Sequence, residues 1–174
     1  MSSHVAQSAA GTPPGISTAA NGKSGQPGRQ VEIITFAIGD DQYGVDIMAV
    51  REIKGWTGVT PLPRQPDYVR GVLNLRGAMV PVVDLRCRFG QGTTEATPMH
   101  IAIIVEIDGQ LVGLLADRVL DIVSFDTGNI QPVPQVARGT RADMLSGLVT
   151  VENGMIALID LSRLVPAEDL SDAA

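Results

Sequence analysis

This sequence predicts a mainly β protein made of two similar halves, and three observations carry that prediction. Short runs rich in Val and Ile recur along the chain, bounded by Gly, Asp, Asn or Pro, the pattern of small sandwiches and barrels. Three blocks of the first half return in the same order in the second. Helical patterns are confined to stretches of about one turn. With 174 residues, 44% hydrophobic and 18% charged, the chain can fill one domain, or two very small ones sharing a core.

Residues 1–29 are Ser, Ala, Gly, Pro and Gln with little else, including GTPPG and NGKSGQPG. Such a segment buries too little apolar surface to offset its ordering entropy, so a disordered tail is expected there. The folded domain follows over residues 30–166, and residues 167–174 end the chain as a short acidic tail. VEIITFAI (31–38) reads as the first strand, GDDQ as a turn, and YGVDI as the return. VLNL, MVPVV, HIAIIVEI, QLVGLLA, GLVTV and MIALI supply further strands. Helical turns are expected at 65–69, 85–89 and 161–165. Asp84 and Asp160 stand before the last two, where a carboxylate accepts from the free amides of a first turn.

The repeat is explicit. GVDIMAVREI (44–53) matches GLLADRVLDI (113–122), VTPLP (59–63) matches IQPVP (130–134), and GVLNLRGAMVPVVDL (71–85) matches GLVTVENGMIALIDL (147–161) without a gap. Each copy alone is too short for a large core, so two barrel-like halves leaning on each other are expected. Apolar positions agree between copies, as in Val80 with Ile156 and Val82 with Leu158. The turn differs: Arg76-Gly77-Ala78 faces Glu152-Asn153-Gly154. Asn-Gly favours a tight hairpin because both residues tolerate positive φ. The first copy therefore turns at the same place, with Gly77 supplying the flexibility, and Arg76 lies at a strand end or hairpin tip, not deep in the core.

The remaining composition excludes several classes. A net charge of −6 disfavours nucleic-acid phosphates, and 3% aromatics leave no stacking platform. One cysteine, Cys87, rules out an intrachain disulfide and a multi-cysteine metal site. Arg86 and Arg88 flank it and could make it reactive, against the plain reading of a small buried or incidental thiol. MSSHVAQSAAGTPPG lacks a secretory signal's basic start and apolar core, and no run reaches the roughly 18 apolar residues of a membrane span. A soluble, cytoplasmic protein without membrane insertion is expected.

No GxSxG, GxxxxGK or HExxH occurs, and the two histidines, His4 and His100, lie in unrelated settings. No enzyme, cofactor or metal is expected. Asp40-Asp41 reads as a solvated hairpin turn, since the alternating helices of a phospho-accepting receiver domain are missing. Glu52 and Lys54 read as the polar face of a strand. Trp56 is core filling or, if exposed, an interface anchor. Arg76 is a surface hairpin arginine, a rim ion-pair partner or a binding residue, and its neighbours alone leave these open. A compact, acidic, catalytically bare β protein with two related surfaces suits an adaptor.

YGVDIMAVREI, VTPLP, PDYVRGVLNLRGAMVPVVDLRCRFG and GQLVGLLADRVLDI closely resemble CheW-type coupling proteins of bacterial chemotaxis, from about Val31 to Val165. GVLNLRG with PVVDL is the most specific part. The resemblance implies two SH3-like five-stranded β-barrels packed together, no catalytic activity and no cofactor. It implies that the chain links the cytoplasmic tips of methyl-accepting chemoreceptors to the regulatory domain of the chemotaxis histidine kinase, with ring or self-association in arrays at the membrane's inner face. An adaptor of another chemosensory pathway, governing surface motility or a second messenger, would look alike. Carried over by motif, the receptor-contacting arginine falls on Arg76, and the receptor groove includes Val50, Glu52 and Gly71. Ile101, Ala102 and Ile103 fall where the family has apolar residues implicated in coupling, with a register that a two-residue slip would move.

Overall fold

A computed structural model of the chain describes residues 28–134, 141–152, 154–166, 168 and 169. Ten strands fill most of that length: β1 (Gln30–Ile38), β2 (Asp41–Asp46), β3 (Val50–Gly55), β4 (Val69–Leu75), β5 (Ala78–Asp84), β6 (Ile101–Ile107), β7 (Gln110–Ala116), β8 (Arg118–Asp126), β9 (Leu145–Val151) and β10 (Gly154–Ile159). Two one-turn helices, α1 (Leu85–Arg88) and α2 (Leu161–Leu164), follow β5 and β10. The tail expected over 1–29 lies outside the described residues except for Gly28 and Arg29. Residues 167–174 likewise lie outside, except for Glu168 and Asp169.

The strands form two five-stranded sheets of the same order. The first runs β8-β1-β2-β10-β9 and the second β3-β6-β7-β5-β4. The sequence repeat maps onto them position by position. Thr60 bridges Val72 just as Gln131 bridges Leu148, and these are aligned residues of the two copies. The copies are nevertheless interleaved. β2 of the first copy lies parallel to β10 in the first sheet, and β7 of the second lies parallel to β5 in the second sheet. Each half thus lends a hairpin of two strands, β1–β2 or β6–β7, to the three strands of the other, so neither sheet is a consecutive half of the chain.

Interleaving explains the core. The largest cluster joins Phe36, Tyr43 and Val45 of the first sheet to Val83, Ile103 and Leu114 of the second, with Leu85 and Leu164 from the two helices. Phe89 stacks on Tyr43 with ring centroids 4.8 Å apart. Smaller clusters lie within each sheet, around Ile33, Val149 and Ile156 in one and Val80, Ala102 and Ile104 in the other. Burying each large aliphatic side chain contributes roughly 1.5–3 kcal/mol. At the crossing from β7 to β8, Asp117 accepts from the Gly39 amide at 2.7 Å and from Arg86 at 2.9 Å. That carboxylate ties the β1–β2 turn and α1 to one junction.

Both helical turns expected after an aspartate are present. Asp84 accepts from the Cys87 amide and Asp160 from the Ser162 amide. The turn expected at 65–69 is not helical. Pro66 disfavours the α region for Gln65, and Arg64 takes a φ of +60°. Asp40 occupies a hairpin turn as expected, while Asp41 opens β2 and pairs with Arg141.

Candidate functional site

The β4–β5 hairpin closes with Leu75 paired to Ala78, leaving Arg76 and Gly77 as a two-residue loop. Both have positive φ, +51° and +88°, the requirement of a type I′ turn. Glycine meets it freely. An arginine there costs about 1 kcal/mol or more, and Asn74 helps hold the loop by accepting from the Gly77 amide at 2.8 Å. The side chain this strain presents is 80% exposed, and one Nη donates to Glu52 Oε2 at 3.0 Å.

Glu52 is placed to receive it by the pleat of β3. Val50, Glu52 and Lys54 are all half-buried, but the extra residue Arg51 breaks the alternation: Val50, opposite Val105, packs on the main core, while Glu52 and Lys54, opposite Ile104 and Ala102, share the other face. Because β3 is an edge strand, this face borders an open slot of about 340 Å³ lined by Lys54, Trp56, Thr60, Leu73 and Asn74. Arg70 lies over the Trp56 ring, 6.0 Å from its centroid, so this tryptophan is half-buried slot wall, not core filling. Arg51, the extra residue of β3, donates through Nε to Glu106 at 2.7 Å.

Of the residues singled out in the sequence, Arg76 and Glu52 are brought into contact, while Val50 packs on the main core from the opposite face of β3. Gly71 is buried in β4 with φ +141°, and a Cβ there would lie 2.2 Å from the Thr60 carbonyl oxygen. It shapes the slot through its backbone. Ile101, Ala102 and Ile103 do not form an exposed patch. Ala102 and Ile103 are 2% and 0% exposed and Ile101 is half-buried. They are the β6 partners of Gly55, Lys54 and Ile53, so they stand beside β3 in the same sheet, and Ala102 also lines the slot. Sequence reasoning missed the Thr60 and Asn74 walls of the slot. The Asn-x-x-Gly spacing of Asn74 and Gly77 was the signal for the second.

Cys87 differs from its arginine-flanked reading. Arg86 turns to Asp117, and Arg88 donates to the Leu164 carbonyl and covers the Tyr68 ring. Burial first, then the Asp84 and Asp67 carboxylates, push the thiol above its ordinary range. Fewer thiolates are therefore present at any pH below that range. Alkylation by iodoacetamide at neutral pH is expected to run slower than for a free cysteine and to speed up only in more alkaline buffer. Ordinary rates at pH 7, read by mass spectrometry, would contradict this.

Among the described residues no group of three or more His, Cys, Asp or Glu side chains is placed to hold a metal, and no helix is long and apolar enough to cross a membrane. The family model that matches is the CheW-like domain, over residues 32–169. The chain is 43% identical to the chemotaxis protein CheW of Rhizobium meliloti over 79% of its length and 89% of the relative's. It is 34% identical to that of Klebsiella aerogenes, covering 80% and 84%, and 31% identical to Protein FrzA of Myxococcus xanthus, covering 77% and 84%. Its structure matches the scaffolding protein TtCheW from Thermoanaerobacter tengcongensis with a TM-score of 0.72 at 32% identity, covering 81% of this chain and 91% of that one. The same ten-strand, two-sheet core that places Arg76 beside Glu52 falls inside the matched residues, and the chain belongs to the CheW-like family of chemotaxis scaffold proteins.

Proposed function

We propose that this protein couples methyl-accepting chemoreceptors to the regulatory domain of the chemotaxis histidine kinase, without chemistry of its own. In this reading it works in the cytoplasm, held beneath the membrane through receptor arrays. The observation that carries it is Arg76: a strained loop position holds a guanidinium in solvent, tethered by one bond, with most of its donors unused. Backbone strain kept at an exposed polar residue points to function. A hairpin tip beside an edge strand gives a receptor's helical hairpin a ridge and a slot to lie along. Glu52 stands on one wall, Val50 anchors its strand to the core, and Gly71 keeps the other wall close. Ile101, Ala102 and Ile103 act indirectly, by fixing the position of β3 from the neighbouring strand.

Arg76→Ala tests the proposal. Stability is expected to stay within about 0.5 kcal/mol, since an exposed ion pair contributes little and the strain at the loop persists. Receptor-dependent activation of the kinase, assayed with receptor-bearing membranes, is expected to fall at least about tenfold, the equivalent of 1.4 kcal/mol. Full activation by the variant, or failure of the wild-type chain to retain receptor and kinase at micromolar concentration, would remove the proposal. The likeness to Protein FrzA, whose name does not mention chemotaxis, favours one second reading: the same contacts serving another chemosensory pathway. Selective binding to one among several kinases of the host separates the two.

A further inference from the structure

The two sheets present equivalent places that are completed differently. Edge strands β3 and β8 each carry one extra residue at a bulge, Arg51 between Val50 and Glu52, and Leu120 between Val119 and Asp121. These are aligned residues of the repeat, as are Arg76 and Glu152 at the two hairpin tips. In the second sheet Arg76 reaches Glu52. In the first, acid stands where the cation was: Asp121 and Glu152 line one cleft of about 440 Å³, walled by Leu120, Val123, Val151 and Ile156. Neither carboxylate pairs with a Lys, Arg or His among the described residues.

The β8 side of this cleft is built. Thr35, 2% exposed, donates through Oγ1 to the Asp121 carbonyl and accepts from the Asp121 amide, both at 3.0 Å, so a side chain replaces the ladder at the bulge. Bulges re-aim side chains, and here Leu120 and Asp121 both reach the cleft. Asp121 Oδ1 accepts from the Ile122 amide at 2.7 Å, a local bond that leaves the carboxylate without a cation. Val119, Leu120 and Ile122 are 36%, 39% and 54% exposed on this unpartnered edge, a density of apolar surface that marks interaction sites.

We propose that the β8 cleft is a second docking site, separate from Arg76, for a partner segment that presents an arginine between apolar side chains. The incoming guanidinium completes the pair that the other sheet makes internally, and its forked donors can serve two carboxylates where an ammonium acts as a point charge. The apolar neighbours cover Leu120 and Val123. This site does not depend on the receptor reading of Arg76.

The test is a titration of the ¹⁵N-labelled full chain with a blocked pentapeptide in which arginine is flanked on each side by valine and leucine. Saturable amide shifts are expected on β8 and the β9–β10 hairpin, with a Kd below about 1 mM. The citrulline peptide, equal in shape but uncharged, is expected to bind at least tenfold more weakly, as is the arginine peptide to Glu152→Gln. Glu152 is exposed at a hairpin tip, so that variant keeps the fold. Asp121→Asn is expected to act in the same direction and Glu52→Gln to change nothing. Absence of saturable shifts at millimolar peptide, equal binding of the citrulline peptide, or shifts centred on Arg76 would overturn the proposal.

Discussion

Replacing Gly71 by aspartate is expected to destabilise the fold by about 3 kcal/mol or more, a large part of the stability of a domain this size. The cause is backbone, not groove filling. A Cβ at Gly71 would stand 2.2 Å from the oxygen and 2.7 Å from the carbon of the Thr60 carbonyl, and 3.0 Å from the Pro61 Cα. That carbonyl accepts from the Val72 amide at 2.8 Å, and the Thr60 amide donates back to Val72 at the same distance. No rotamer relieves such a clash, so the bridge must part and the slot wall with it. The positive φ adds strain for any residue with a Cβ. Gly77→Ala is the control. Its φ is +88° but nothing lies within 4 Å, so only the conformational cost of about 1 kcal/mol applies. Denaturant midpoints of the two variants check the ranking; equal losses would mean that contact with Thr60 is not what the glycine avoids.

Asp84→Ala is expected to cost about 2–4 kcal/mol, through donors left without an acceptor. Asp84 is fully buried and accepts from the Thr94 amide at 2.8 Å and the Thr94 hydroxyl at 2.6 Å, besides capping α1. Arg70 lies 3.7 Å from it and donates to the Thr94 carbonyl at 2.8 Å. Removing the carboxylate frees the loop around Thr94 and leaves Arg70 with that loop and the Trp56 ring but no anion. Asp160, its aligned counterpart, is half-buried and serves Ser162 alone in hydrogen bonds. Asp160→Ala is therefore expected to cost about 1 kcal/mol, an ordinary cap loss. Thermal unfolding of both variants makes the comparison, and matched losses would show that the buried network adds nothing to the cap.

These two pairs of residues mark how far the letters can be read. Asp84 and Asp160 look alike in sequence because capping is local: it needs only a carboxylate before a helical turn. What separates them is Thr94, ten residues on, which no local pattern ties to Asp84. The segment expected as a helical turn at 65–69 makes a single non-helical turn, the Val69 amide donating to the Pro66 carbonyl at 2.9 Å, and Val69 already opens β4. Cys87 was misleading in the opposite direction. Its charged neighbours in sequence point to other partners, and the groups that set its acidity come from burial and from Asp84 and Asp67.

Arg76 shows the same division. Its place at a hairpin tip follows from the alignment with Glu152-Asn153-Gly154, since loop length and positive φ are short-range requirements. The strand pattern, the repeat and both caps are legible for the same reason: periodicity and backbone preference act over a few residues. Contact between Arg76 and Glu52 is not legible, nor is the exchange of the β1–β2 and β6–β7 hairpins between sheets, nor the burial of Ala102 and Ile103 beside β3. Those depend on which edges the closing chain brings together, and pairings between strands dozens of residues apart are selected by the packing of the whole core.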